Sequence, residues 1–378
     1  MNEAPAPDTP SRAPAQALIA ASVVLMPLVL FTVGLAVQVL NPGFGVWFTE
    51  VFVFLGLSWI ALRLSGRDPV RYPGLHPPGA ATAAYAVMLG VVNFFGIAVP
   101  LLFLAQQVFP QSVVEMFDSA RVFRDRTPAE TALIVSGVIV AAPLCEEYFF
   151  RGVLQRALIE ARLRAAWAVA VSSIVFSAIH GDPVGFVARL ELGLLFGWLF
   201  WRTGSVWPGI LAHAANNATT TALWFLQGGE AGEAERPVAA EAASSVALYA
   251  AIGVATFVAL LRAPARWPAL LARRELEERP LPPVGFFGAA RPWVLAATTS
   301  LALLFLLDPR GVAVNWAELR HPIPRTLPSN APERRELRDL KQRVRSGEVP
   351  VSEYRSRLRA LSEGGTPTPP TPVPTLRP

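Results

Sequence analysis

Long, continuous apolar runs restrict what this chain can fold into. A run of about 20 apolar residues spans a bilayer as a helix. The runs are continuous and do not alternate with polar residues, which favours helices over the strands of a barrel. We therefore predict an all-α, polytopic transmembrane helical bundle of eight or nine spans. The candidate spans are 17–40, 46–64, 82–107, 130–150, 165–181, 185–202, 205–226, 243–262 and 292–307.

The sequence outside these runs differs in composition and suggests how the chain is divided. Arg and Glu alternate along 331–363, where Leu337, Leu340 and Val344 recur at helical spacing, so we expect a small soluble helical hairpin there. The Pro-rich and Thr-rich end is typical of disorder. The predicted division is a disordered tail at 1–16, transmembrane helices at 17–129, a central segment at 130–226, additional transmembrane helices at 243–307, the hairpin at 331–363 and a disordered tail at 364–378.

Charge and cysteine content exclude several classes of function. Cys145 is the single cysteine, which excludes an internal disulfide and a cysteine-based metal cluster. The net charge of +5 is almost wholly arginine, and no basic block alternates with aromatic residues. We therefore expect no nucleic-acid partner.

Arginine in the short loops predicts the orientation of the bundle. Arg63, Arg67 and Arg71 follow the second span, while the loop after the seventh span is acidic. Arginines also follow the fourth and eighth spans. Because positive charge is retained on the cytoplasmic side, we predict a cytoplasmic N-terminus in a multi-pass protein of the bacterial cytoplasmic membrane. The side of the C-terminus depends on whether 292–307 crosses.

Two adjacent carboxylates, Glu146 and Glu147, close one of the apolar runs in the stretch PLCEEYFFRG. A charged side chain at membrane depth costs roughly 2.5–3.5 kcal/mol on insertion scales. A chain that keeps two of them needs partners or a use for them. Pro143, three residues before Glu146, removes a backbone donor and can kink the helix there.

Other polar residues at membrane depth lie at helical spacing, since residues four apart share a helix face. Glu147 and Arg151 are four apart, as are Phe176 and His180, and also His213 and Asn217. If these faces converge, the bundle holds a carboxylate pair, two imidazoles and an amide. That set fits water activation at a peptide carbonyl, with a general base and an oxyanion donor.

Each of these groups also has a purely structural interpretation. The Glu147–Arg151 pair would hold helices together, His180 would be a helix-end hydrogen-bonding residue, and His213 with Asn217 would link helices. Cys145 and the serines at 172, 173 and 177 are expected to be packing residues. Glu191 would pair with Arg189 or Arg202, or lie near an interface.

The three motifs, Glu146-Glu147-x-x-x-Arg151, Phe176-x-x-x-His180 and His213-x-x-x-Asn217, resemble those of the CPBP family. These are the type II CAAX prenyl endopeptidases and bacteriocin-processing enzymes, also called the Abi family. The resemblance covers roughly 130–226, where all three motifs occur in order in successive hydrophobic segments. It identifies the central segment as a CPBP-like protease core.

The resemblance implies intramembrane endoproteolysis of a membrane-embedded or lipid-anchored protein, such as a CAAX-type prenylated one. Glu146 and His180 would hold and activate the attacking water, His213 and Asn217 would stabilise the oxyanion, and Glu147 and Arg151 would support the site. We expect no cofactor, although a zinc ion held by Glu146, His180 and His213 stays open.

Two other classes of function compete with proteolysis. A non-catalytic membrane scaffold or bacteriocin-immunity protein would keep the same fold. A transporter would use the intramembrane charges as a relay, but no inverted repeat is evident in the sequence.

Overall fold

A computed structural model describes residues 13–123, 126–228, 239–273, 275, 280–282, 284–324, 327 and 331–363. The predicted disorder at 1–12 and 364–378 lies outside the described residues. Residues 14–16 of that predicted tail belong to the first helix. The helices are α1 Pro14–Leu40, α2 Pro42–Leu64, α3 Ala80–Val108, α4 Pro128–Glu160, α5 Ala165–Ala178, α6 Phe186–Thr203, α7 Trp207–Leu226, α8 Ala239–Arg266, α9 Phe286–Leu307, α10 Pro309–Arg320, α11 Pro332–Ser346 and α12 Val351–Ser362.

The predicted all-α, polytopic helical bundle is confirmed. In the part of the chain that the structure describes, 6 helices are long and apolar enough to cross a membrane: α1 to α4, Ala247–Arg266 of α8, and α9. Helix α5 is apolar but shorter. Helices α6 and α7 pack inside the bundle and carry polar residues along their length, which lowers their hydropathy. The number of spans, eight or nine, stays a prediction.

The loops that carry arginine meet at one end of the bundle, which we call the arginine face and define by residues 63–72 and 156–164. Arg67 Nη2 lies 2.9 Å from Glu160 Oε2, and Tyr72 donates to Glu160. Leu18 at the start of α1 packs against Leu62 and Tyr72. The first helix therefore begins at the arginine face.

Helix α9 runs from the arginine face to the opposite end of the bundle. Just before it, Leu281 N donates to Gly66 O at 2.8 Å. Just after it, Asp308 accepts from Asn41 Nδ2 at 3.1 Å, and Asn41 follows the far end of α1. A helix of 22 residues is about 33 Å long. The structure thus indicates that 292–307 crosses the bundle.

Three helices after α9 form a small unit, which we call the C-terminal cap and define as α10 to α12. Leu337, Leu340 and Val344 are buried in its core, at the positions that helical spacing predicted, and Leu358 lies in the same core. The hairpin prediction missed α10, which supplies Val314 and Ala317 to the same core. The reason is that α10 carries mixed residues without a clear apolar stripe.

The cap docks on the end of the bundle opposite the arginine face. Arg345 Nη2 lies 2.7 Å from Glu130 Oε1 at the start of α4, and Asn315 Nδ2 donates to Leu40 O at 2.8 Å. Glu130 also completes a capping box with Thr127, which fixes where α4 begins. The cap is therefore attached to both α1 and α4 by polar contacts.

Close helix contacts at small residues hold the centre of the bundle together. A Cβ on Gly90 would lie 2.2 Å from Ala212 O, so α3 and α7 touch through their backbones. Gly96 and Gly253 make a similar contact between α3 and α8. Such contacts are typical of membrane helices, where packing replaces the hydrophobic effect as the driving force.

Candidate active site

The structure brings together residues from three helices that are separate in sequence. Glu146, Glu147 and Arg151 lie on α4, His180 follows α5, and His213 lies on α7. Glu147, Arg151 and His213 are buried, while His180 is exposed to the cavity described below.

Glu147 is the centre of this cluster. Its Oε1 lies 2.9 Å from Arg151 Nη1, so the predicted ion pair between residues four apart forms. The same oxygen lies 3.2 Å from His213 Nδ1. Because a carboxylate only accepts, Nδ1 carries the proton in this contact. Glu147 therefore fixes the imidazole of α7 against α4.

His213 turns its other nitrogen towards Glu146. Nε2 lies 4.0 Å from Glu146 Oε2, which is longer than a hydrogen bond. The ring stacks on Phe196 at 4.9 Å and meets the Phe176 ring edge-on at 5.9 Å. Glu147 and the two phenyl rings therefore fix the orientation of the His213 imidazole.

Arg151 is a buried charge with several partners. Its Nη2 donates to Gly193 O at 3.0 Å, in addition to the ion pair with Glu147. The guanidinium carbon lies 4.7 Å from the centroid of the Phe176 ring and 5.4 Å from that of Phe196. Such contacts offset the cost of burying the charge. Arg151 joins α4 to α6 and fixes the position of Glu147.

His180 is fixed through one ring nitrogen and open at the other. Nδ1 lies 2.8 Å from Phe176 O, one turn earlier. A carbonyl oxygen only accepts, so Nδ1 carries the proton and Nε2 has a free lone pair when the ring is neutral. Helix α5 ends here, with Gly181 at φ +64. With Nδ1 protonated, the lone pair of Nε2 can accept a proton as a general base does.

Asn217 has a partner that the sequence motif did not predict. Its Nδ2 donates to Val138 O of α4 at 2.9 Å. Gly137–Ala141 is π-helical, so the expected donor to Val138 O is the N–H of residue 143, which proline lacks. Asn217 thus satisfies the carbonyl that Pro143 leaves open. Among the described residues, Val138 O is the one acceptor of the Asn217 amide.

A third carboxylate, Glu50 on α2, lies at the same site and was missed in the sequence analysis. It is buried and lines a cavity of about 290 Å³ together with Glu146 and His180. The signal was present in the sequence, since Glu50 is an ionisable residue inside the predicted span 46–64.

The other polar residues singled out from the sequence have structural partners. Glu191 accepts from Asn93 Nδ2, with both carboxylate oxygens at 2.8 Å, so the predicted pairing with Arg189 or Arg202 was wrong. Arg189 contacts Asp182 instead. The serines on α5 donate to main-chain oxygens, as the packing interpretation expects.

The proposed zinc ligands do not form a metal site by their arrangement. Among the described residues, no group of three His, Cys, Asp or Glu side chains is placed to hold a metal ion. His213 uses Nδ1 on Glu147 and His180 uses its own Nδ1 on Phe176 O, which leaves only Nε2 of each ring for a metal ion.

Comparison with known proteins agrees with this site. Residues 128–219 match the family described as "Type II CAAX prenyl endopeptidase Rce1-like". The predicted CPBP resemblance is confirmed. The matched segment contains α4, α5, α6 and most of α7, and thus every residue of the three motifs.

One curated relative is similar over part of its length. The chain is 32% identical over 85 residues to "Putative membrane peptidase YdiL" of Bacillus subtilis (strain 168). That match covers 22% of this chain and 34% of the relative. No solved structure is significantly similar to the chain. The family match is limited to residues 128–219.

Proposed function

We propose that this multi-pass membrane protein is an intramembrane endopeptidase that hydrolyses a peptide bond with water activated by glutamate and histidine. The observation that carries the proposal is the position of His213 between the two carboxylates, with Nδ1 3.2 Å from Glu147 Oε1 and Nε2 4.0 Å from Glu146 Oε2, beside a cavity that Glu146 and His180 line. A scaffold does not need a base that faces a cavity.

In the proposed reaction, Glu146 and the free Nε2 of His180 orient a water molecule and take its proton. The resulting hydroxide attacks the carbonyl carbon of the scissile bond. The same proton then goes to the leaving amide nitrogen as the C–N bond breaks. No covalent enzyme intermediate is needed, and Cys145 stays outside the reaction because its side chain is buried.

The oxyanion of the tetrahedral intermediate is stabilised by His213 and Asn217. In this role His213 presents Nε2, the nitrogen that faces Glu146, while its Nδ1 contacts Glu147. Asn217 contributes the N–H that Val138 O does not use. Glu147 and Arg151 are positioning residues, since they reach the substrate only through His213.

The proposed substrate is a membrane-embedded or lipid-anchored protein, and the matched family description adds a CAAX-type prenylated protein as a candidate. The protein is proposed to lie in the bacterial cytoplasmic membrane with its N-terminus and arginine face in the cytoplasm. No cofactor is required by the reaction as written.

The test is cleavage of a membrane-peptide reporter by purified protein in proteoliposomes. Glu146→Gln is expected to lower the rate by at least about 10²-fold, because the general base is lost. Glu191→Gln is the matched control, since it removes a carboxylate bonded to Asn93 inside the same bundle. Equal rates for wild type and Glu146→Gln would overturn the proposal. Loss of wild-type activity on metal chelation would overturn the metal-free mechanism alone.

A further inference from the structure

The cavity beside Glu146 and His180 has a second wall that the three motifs do not include. It is formed by α1 and α2, which contribute Gln38, Thr49 and Glu50. Leu30–Gly34 of α1 and Thr49–Gly56 of α2 are π-helical. π-Helical segments are frequent at functional sites. The second wall therefore faces the water-activating residues with polar groups.

The polar groups of this wall are fixed, and one of them is unsatisfied. Gln38 Nε2 donates to Thr49 Oγ1 at 3.0 Å. Glu50 is 6% exposed, and among the described residues its Oε2 has no hydrogen-bond partner. A buried carboxyl oxygen without a partner is costly, so it is expected to meet a donor in the working protein.

The rim of the cavity is apolar and open to the side. Phe31 and Leu35 line it and are 51% and 50% exposed. Both lie on α1, whose outer surface faces lipid in a bilayer. A segment in the membrane can therefore reach the cavity between apolar side chains without passing through either face.

An extended peptide that enters this way takes its main-chain N–H groups out of bulk water. Each such group needs an acceptor there, since an unpaired polar group in hydrocarbon costs several kcal/mol. Glu50 is the acceptor that the second wall offers opposite Glu146. Its oxygen accepts in either protonation state.

We propose that Glu50 is a substrate-binding residue, which holds an extended apolar peptide segment by accepting a hydrogen bond from a main-chain N–H next to the scissile bond. This inference rests on the proposed proteolytic function. Gln38 and Thr49 continue the same wall towards the end of α1. Phe31 and Leu35 contact the apolar side chains of the segment.

The experiment separates binding from cleavage. The full chain with Glu146→Gln is purified in detergent with p-benzoylphenylalanine in place of Phe31, and crosslinking to a fluorescein-labelled apolar peptide is measured against peptide concentration. Adding Glu50→Ala is expected to weaken the apparent affinity about tenfold or more, while Glu50→Gln keeps an acceptor and stays near the starting value. Glu191→Gln is again the control.

An ester analogue of the peptide supplies the decisive comparison. Replacing the recognised amide by an ester removes one N–H from the peptide. In the protein with Glu50, this is expected to weaken the apparent affinity for the peptide about tenfold. After Glu50→Ala, the amide and ester peptides are expected to bind equally. An equal loss in both proteins, or an unchanged affinity after Glu50→Ala, would overturn the assignment of Glu50. So would the absence of any crosslink at position 31.

The two proposals fail in different ways. If crosslinking depends on Glu50 but the wild-type protein cleaves nothing, the proposal that the second wall binds peptide stands and the proposed protease function is rejected. If cleavage depends on Glu146 but not on Glu50, the proposed protease function stands and the proposal that the second wall binds peptide is rejected.

Discussion

Glu147 is the residue on which the geometry of the site depends. One carboxylate oxygen contacts both Arg151 on its own helix and His213 on α7. Removing Arg151 would leave a buried carboxylate without its cation, which typically costs about 3–5 kcal/mol. The structural and catalytic interpretations of this pair are therefore compatible, because the contact that holds the helices also orients the imidazole.

Asn217 has two roles that a pair of substitutions separates. Asn217→Ala is expected to cost about 1 kcal/mol in unfolding free energy, because Val138 O loses its donor, and also to lower activity. Pro143→Ala returns an N–H to α4 that can reach Val138 O. In the double variant we expect thermal unfolding in detergent to recover towards wild type while cleavage stays low.

Recovery of both stability and cleavage in that double variant would contradict a role of Asn217 at the oxyanion. Pro143→Ala alone is the control. This variant is expected to fold. It shows whether a second donor to Val138 O, beside Asn217 Nδ2, disturbs α4.

At the scale of elements, α3 sets the position of α7. Gly90 lies against the backbone of Ala212, which directly precedes His213. No flexible side chain separates the two helices at this point, so any added atom has to move one of them. The position of the imidazole therefore depends on a glycine outside the segment that matches the family.

Gly90→Ala is expected to shift α7 and to lower cleavage by about 10²-fold, since small misplacements of reacting groups have effects of that size. The added Cβ would lie 2.2 Å from Ala212 O. Gly288→Ala is the matched control, because its Cβ would come no nearer than 3.8 Å to Val284. Purified protein is assayed with the membrane-peptide reporter. Equal activity of the two variants would contradict the positional role of α3.

Much of this architecture followed from sequence, and the exceptions have physical reasons. Continuous apolar runs predicted the long helices, and spacing of four predicted the Glu147–Arg151 contact. Glu50 is the residue that the motifs missed, since it lies on α2, outside the matched segment. The partners of Glu191 and Asn217 depend on how helices far apart in sequence pack, which local spacing does not encode.

At the scale of the whole molecule, the two ends of the bundle differ in chemistry. The arginine face carries the loops after α2 and α4, and the C-terminal cap covers the other end through Glu130, Asn41 and Leu40. If the arginine face is cytoplasmic, as the positive-inside rule predicts, the cap lies outside the cytoplasm.

Cysteine labelling tests this arrangement, because the native Cys145 is buried. With a membrane-impermeant maleimide, Ser362→Cys in the cap is expected to react in intact cells. Val70→Cys on the arginine face is expected to react only after permeabilisation. Labelling of both from one side would contradict the crossing of α9, and the reverse pattern would contradict the orientation. Unsubstituted protein controls for reaction at Cys145.

The central claim, that this site cleaves peptide bonds, is tested most directly by terminal proteomics on membranes from cells that express wild type or Glu146→Gln at matched abundance. The account predicts new peptide termini with wild type alone, located in membrane-associated proteins. Identical sets of termini, with both proteins folded, would contradict it and would leave Glu146 and Glu147 as charges that pack a non-catalytic bundle.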